Sequence, residues 1–177
     1  VSRAENLVVC GPSGTGKTTV ARIYANAINA EFHELSAVSA GKDDIRKLLG
    51  ESKKEKGKRQ NEQGDLELQS PKPEGQRPKV LFLDEIHRFN KAQQDFLLPF
   101  VESGELVLIG ATTENPSFEV ISALLSRLRV FVLNEFAADE MAAIIDRTGQ
   151  KLDKKAKAWL IEMANGAGKV VITATQM

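Results

Sequence analysis

Residues Gly11, Pro12, Ser13, Gly14, Thr15, Gly16, Lys17 and Thr18 run consecutively and constrain this chain more than any other stretch. They fit G-x-x-x-x-G-K-[S/T], a loop whose backbone N–H groups cradle phosphates. The pattern carries weight only between a strand and a helix, and both are present in the sequence. Leu7-Val8-Val9-Cys10 is an apolar run suited to a buried strand. Thr19 to Ile28 suits a helix, with Tyr24, Ala25 and Ile28 near one another as a buried stripe. Glycine lets the backbone approach phosphate oxygens closely, and the helix start near Gly16 aims N–H groups and a positive dipole end at them. Lys17 is placed to reach the β- and γ-phosphates of a nucleoside triphosphate, and the Thr18 hydroxyl to ligate Mg²⁺. Thr19 completes the expected nucleotide-binding string.

A second motif agrees with the first. Val80-Leu81-Phe82-Leu83 is a continuous apolar run that ends in Asp84-Glu85. A buried parallel strand would deliver both acids at its C-terminal edge. Asp84 is expected to hold Mg²⁺ through water, and Glu85 to polarise an attacking water. Leu106 to Ala111 is another buried strand, and it ends at Thr112-Thr113. Its tip is placed to hydrogen-bond the γ-phosphate or the water, with Thr113 the first choice and Thr112 the second. His87 has two readings, a relay near the γ-phosphate or a hydrogen-bonded structural residue. His33 reads as a surface or strand-edge residue.

Around these motifs the chain alternates strand and helix, which predicts a parallel α/β sheet. Glu31 to Leu35 reads as the second strand, with Ser36 at its end. Asp43 to Leu49 reads as a helix with acids in its first turn. Lys91 to about Val101 reads as a helix with Phe96, Leu97, Phe100 and Val101 as its stripe and Pro99 near a kink or the end. Phe118 to Leu128 reads as one helix, and Val130 to Leu133 as the fifth strand. Further on, Ala137 to Asp146 and Lys154 to Ala164 read as helices. Gly149 breaks the first, Asp153 caps the second, and Trp159, Leu160 and Met163 are expected to pack. The predicted division is a core over 1–135 and a partial helical lid over 136–177. The segment 51–78 is rich in Lys, Glu, Gln, Gly and Pro, and reads as a flexible polar insertion. Its basic cluster admits phosphate contact, but acids interleave and favour a solvated loop. Val170-Val171-Ile172-Thr173 is β-branched and its structure stays open.

Composition closes off several classes. Twenty-four Lys+Arg balance 24 Asp+Glu, so no global basic excess advertises nucleic acid, and DNA contact needs a local patch or another domain. The single cysteine, Cys10, excludes an internal disulfide and reads as a core residue. No apolar stretch approaches the roughly 20 residues that span a bilayer, so no membrane partner is expected. The chain starts almost on its first strand, which predicts a piece of a longer protein.

Together these residues resemble the AAA+ ATPases. The strings Phe82 to Asp95 and Ile109 to Phe118, with Leu124-Leu125-Ser126-Arg127, resemble the RarA/MgsA family, which includes the Werner helicase-interacting protein. The resemblance covers roughly 6–50 and 79–135. It implies an α/β P-loop fold with a five-stranded parallel sheet of order 5-1-4-3-2, helices on both faces and a small helical lid. It implies an ATP- and Mg²⁺-dependent, DNA-stimulated ATPase in replication-fork maintenance, repair and recombination. The expected partners are further copies in a tetramer or ring, DNA at forks or ends, and single-stranded-DNA-binding protein. The expected setting is the bacterial cytoplasm near the nucleoid, or the nucleus in a eukaryote. Arg127 matches the arginine finger that completes a neighbour's site, with Arg129 as backup. Ser36 matches a polar switch position that restrains the catalytic Glu.

The sequence departs from the family in places. The segment that helps hold adenine and the C-terminal oligomerisation region lie outside this stretch, which predicts a monomer for the chain alone. The 51–78 loop is longer and the lid shorter than the family's. Gly166-Ala167-Gly168-Lys169 stands where the family has Gly-Asp-Ala-Arg, so Lys169 offers a charge without the planar fork of the sensor 2 arginine. These departures leave a second function open: a clamp-loader-like nucleotide-binding assembly module with little intrinsic hydrolysis.

Overall fold

The computed structural model of the chain describes residues 4–49, 77–168 and 172. Five strands carry the fold: β1 (Leu7–Cys10), β2 (Glu31–Ser36), β3 (Lys79–Asp84), β4 (Leu106–Thr112) and β5 (Arg129–Val132). Between and after them run α1 (Lys17–Ala27), α2 (Lys42–Leu49), α3 (Lys91–Ser103), α4 (Pro116–Glu119), α5 (Ser122–Leu125), α6 (Ala138–Arg147) and α7 (Lys154–Ala164). A 3-10 turn, Ile86–Arg88, follows β3 directly. All strand pairs are parallel, in the order β2-β3-β4-β1-β5. This is the 5-1-4-3-2 order expected from the sequence, read from the other edge.

Alternation along the strands divides the core into two layers. Val8, Leu81, Leu83, Leu106 and Leu108 face α2, α3 and α5, packing on Ile45, Leu97 and Leu124. Leu7, Val9, Val80, Phe82 and Ile109 face α1 on the other side. There Ala21 and Ala25, one helical turn apart, are fully buried and let α1 lie close to the sheet. β3 and β4 are covered on both faces, which is why they read as unbroken apolar runs. β5 is exposed along its length and forms the sheet edge, unlike the buried strand its composition suggests.

The single helix expected over Phe118–Leu128 is two short ones. Val120 and Ile121 are extended, at ψ 132° and 141°. The physical reason is Gln94 of α3, whose amide is buried. Its Nε2 donates to the carbonyls of Phe89 and Glu119, and its Oε1 accepts from Ile121 N–H, each at 2.9 Å. The side chain supplies the partners that a broken helix leaves wanting. Replacing Gln94 with Leu strands two carbonyls and one N–H in the core. The expected loss is about 3 kcal/mol of stability, read as a lowered denaturant midpoint at unchanged slope.

α3 starts with a capping box between Asn90 and Gln93 and runs past Pro99 to Ser103, where Gly104 ends it at φ 70°. Beyond β5, α6 and α7 pack on each other through Met141, Ile145, Leu160 and Ala164. Trp159 and Met163, expected to pack here, are exposed instead. Leu160 and Ala164, four apart, form the buried seam, and Trp159 and Met163 sit together one position round the helix. Gly149, at φ 74°, follows α6, and Asp153 accepts from Ala156 N–H to cap α7. The polar insertion predicted over 51–78 lies, except for its last two residues, outside the described residues. So do Lys169 and, apart from Ile172, the segment 170–173.

Candidate nucleotide-binding and hydrolysis site

Parallel pairing brings the ends of four strands to one edge. β4 lies between β1 and β3, so Cys10, Thr112 and Asp84 end adjacent strands, and Ser36 is in register with Asp84. Chain order reverses beside β1, and such a crevice at the carboxyl ends of strands is where open α/β sheets bind ligands.

The loop after β1 is already shaped. Gly11 N–H donates to the Thr112 carbonyl at 3.1 Å, tying the loop's start to β4. A Cβ on Gly11 would fall 2.2 Å from the Leu133 carbonyl oxygen, so only glycine allows the loop to leave between β4 and the end of β5. Thr15, buried, donates its hydroxyl to the Pro12 carbonyl at 2.9 Å. Lys17 Nζ donates to the carbonyls of Gly11 and Pro12, both at 2.8 Å. The ammonium thus stands across the mouth of the loop. Gly16 precedes α1 in a left-handed conformation and brings no side chain to the first-turn N–H groups. That helix end is built to meet an anion. Ser13 and Thr19 are exposed at its rim, with Gly14 and Thr18 half-buried.

Asp84 and Glu85 stand opposite. Asp84 closes β3 and its Oδ1 accepts from Glu85 N–H at 3.1 Å. Glu85 lies at φ 56°, ψ 45°, a left-handed conformation that is uncommon for a residue with a side chain. Ile86 next to it is fully buried. A Cβ on Gly110 would come within 2.8 Å of the Ile86 side chain, so the glycine in β4 admits this turn against the sheet. The turn is therefore fixed by packing, and it sets where Glu85 and His87 point.

The two threonines at the tip of β4 differ. Thr112 is fully buried, and its hydroxyl oxygen meets His87 Nδ1 and accepts from Glu114 N–H, each at 3.0 Å. Thr113 is exposed and lines a cleft of about 560 Å³ with Gly11, Pro12, Asn115 and Leu133. Thr113, not Thr112, faces the loop. The Ser36 hydroxyl oxygen accepts from Val38 N–H at 3.4 Å, while the side chain that meets the Glu85 carboxylate is His87. His33 Nε2 lies 3.0 Å from a Glu31 carboxylate oxygen on the sheet's edge strand, away from these groups.

Arg127 is not brought to this edge. It lines a second cleft with Ala4, Asn6 and Leu106, at the opposite ends of the strands. Its guanidinium donates to the Ala123 carbonyl and pairs with Glu102, each at 2.5 Å. Arg129 begins β5 and pairs with Glu5 at 3.2 Å. Four-residue β1 separates the two edges by about 13 Å at ~3.3 Å per residue, so neither arginine serves its own chain's phosphate loop.

A Mg²⁺ ion taken with a triphosphate needs few protein ligands, because phosphate oxygens and water supply the rest. The hard oxygens of Thr18 and Asp84 fit that demand. Among the described residues there is no group of three or more His, Cys, Asp or Glu able to hold a metal unaided. None of the described helices is long and apolar enough to cross a membrane.

A five-stranded parallel sheet with a phosphate loop after β1 and a paired acid after β3 defines a P-loop nucleoside-triphosphatase fold. The chain belongs to the AAA family, the ATPase family associated with various cellular activities, whose model matches residues 7–136. It is similar to replication-associated recombination protein A of Haemophilus influenzae, with 44% identity over 142 residues, 80% of this chain and 28% of that protein. It is 38% identical to the ATPase WRNIP1 of Dictyostelium discoideum over 97% of this chain and 19% of that protein. Replication-associated recombination protein A of Escherichia coli K12 is 37% identical, over 97% and 37%. The chain thus spans less than two-fifths of the length of each of these three relatives. Among solved structures, the Thermotoga maritima RuvB Holliday junction branch migration motor superposes with a TM-score of 0.71 at 26% identity, over 97% of this chain and 53% of that one.

The phosphate loop, the acid pair and the β4 tip stand at the strand ends that the sequence pattern implies. Gln94 is not legible in the sequence, because its role depends on a contact 25 residues away. Nor is Glu114, which faces His87 Nε2 at 3.6 Å. No local pattern marks either residue.

Proposed function

We propose that the chain is the ATP-binding and hydrolysing core of a DNA-dependent ATPase that acts in replication-fork maintenance, repair and recombination. The observation that carries this reading is the meeting of Lys17, Asp84, Glu85 and Thr113 at one sheet edge, with Arg127 at the other. Residues 11–19 hold the triphosphate, with Lys17 moving from the Gly11 and Pro12 carbonyls to the β- and γ-phosphates. Thr18 and Asp84 would hold Mg²⁺, which would neutralise charge on the phosphate oxygens. Glu85 takes a proton from the attacking water, and Thr113 hydrogen-bonds the γ-phosphate or that water.

Arg127 reaches outward to a neighbouring copy, where a guanidinium stabilises transition-state charge. The working protein is therefore an oligomer, a tetramer or ring, with 136–177 as the lid beside each nucleotide. Relatives named for replication-associated recombination support DNA as a partner, and we extend this to forked or broken DNA and single-stranded-DNA-binding protein. The proposed setting is the bacterial nucleoid, or the nucleus of a eukaryote.

One observation favours the second reading, an assembly module that binds ATP and turns it over little: Arg127 is already engaged by Glu102. Turnover measured across protein concentrations, with and without forked DNA, separates the two. The ATPase reading expects turnover per chain to rise steeply with concentration. It also expects Arg127→Ala to lower the plateau by about 1,000-fold or more. Mixing that variant with Lys17→Ala should restore part of the activity, because each supplies what the other lacks. A flat, near-zero rate beside clear ATP binding would establish the assembly module instead.

A further inference from the structure

His87 is built into the site by contacts that the proposed mechanism leaves unused. Its side chain is only 7% exposed. Nδ1 lies 3.0 Å from Thr112 Oγ1 and 3.2 Å from Glu85 Oε2, and Nε2 lies 3.6 Å from Glu114 Oε1. Nδ1 is thus within hydrogen-bond distance of the threonine oxygen, and the Glu85 carboxylate stands beside the same nitrogen. Thr112 Oγ1 in turn accepts from Glu114 N–H. The imidazole therefore joins the residue after β3 to the two residues that bracket Thr113 at the tip of β4.

We propose that His87 is a positioning residue that holds the Glu85 carboxylate in register with the β4 tip. Any movement of Thr113 toward a terminal phosphate is thereby passed to the carboxylate that activates water. The turn that carries His87 cannot drift, because Ile86 is buried against Gly110. Glu85 meets His87 from a left-handed backbone. Such a conformation persists where the surroundings over-determine it, and the Nδ1 contact is part of what does so. In this chain the restraint on Glu85 thus comes from the next turn and β4, not from Ser36 at the end of β2. The inference rests on Glu85 being the water-activating group.

The test compares His87→Ala, His87→Asn and His87→Gln in the 177-residue chain at a concentration that supports turnover. The Asn amide stands where Nδ1 stands and the Gln amide where Nε2 stands. His87→Ala should lower kcat by about tenfold to 100-fold through a misplaced carboxylate, with ATP affinity kept as in the parent chain. His87→Asn should recover most of that loss and His87→Gln little of it. An unchanged kcat in His87→Ala, or equal recovery by Asn and Gln, would overturn the proposal.

A second readout does not depend on turnover. The chain has only two histidines, so their imidazole nitrogen resonances separate readily. Glu85→Gln should move the Nδ1 resonance of His87 and leave those of His33 in place. A His87 resonance indifferent to Glu85 would also overturn the proposal. Full turnover in Glu85→Gln together with a moved resonance would instead remove Glu85 from the chemistry and leave the contact standing.

Discussion

Glu85→Gln is expected to bind ATP as the parent chain does and to abolish turnover. The substitution keeps the size of the side chain and removes the one property that matters, its ability to accept a proton from water. General-base catalysis contributes roughly 100-fold to 10,000-fold, so kcat should fall at least about 100-fold. Binding should persist because no phosphate contact is assigned to Glu85. The backbone also argues for persistence, since the left-handed turn at Glu85 is held by Ile86 against β4 rather than by the carboxylate alone. The check is steady-state phosphate release beside equilibrium binding of a fluorescent ATP analogue. Unchanged turnover would remove Glu85 from the chemistry.

Lys17→Ala is expected to act one step earlier and lose binding itself. Lys17 has two parts in this reading. It spans the Gly11 and Pro12 carbonyls at 2.8 Å and so ties its ammonium across the mouth of the loop. Under the proposed function it would also carry that ammonium to the β- and γ-phosphates. Hydrogen bonds to charged groups are worth about 1.5–3 kcal/mol each. Loss of two to the phosphates should weaken ATP binding by about 100-fold or more. Lys17→Arg should not restore it, because a planar fork cannot replace a compact ammonium among those carbonyls. Titration of the analogue measures both variants. Lys17→Ala with parent-like affinity would mean that the backbone N–H groups of residues 11–19 suffice alone.

The two experiments divide the site as the sequence does. Residues 11–19 are contiguous, and their function is written in local chemistry: glycines for approach, lysine for charge, a helix start for the dipole. Such a site is legible from one dimension. Asp84 and Glu85 were also legible, because a buried parallel strand must end at the edge where the phosphate loop sits. Thr113 was legible by the same reasoning. The strand–helix alternation predicted the parallel sheet.

What escaped the sequence depended on distant partners. The helix expected over Phe118–Leu128 looked continuous because every residue in it tolerates helix. It is broken by an amide on α3 that satisfies the backbone at Glu119 and Ile121. Trp159 and Met163 looked buried because they are large and apolar, yet the seam between α6 and α7 runs through Leu160 and Ala164. A helix's apolar period fixes its stripe to within a position, and only the packed partner decides which edge of the stripe turns inward.

The sequence by itself thus determined that a glycine-rich loop and an acid pair each follow a strand of one parallel sheet, because each is written in a run of covalent neighbours. Tertiary structure alone decided which side chains serve which site. It put His87 between Glu85 and Thr112. The reason is strand order. β4 inserts between β1 and β3 although it follows both in the chain, and no local pattern encodes that insertion.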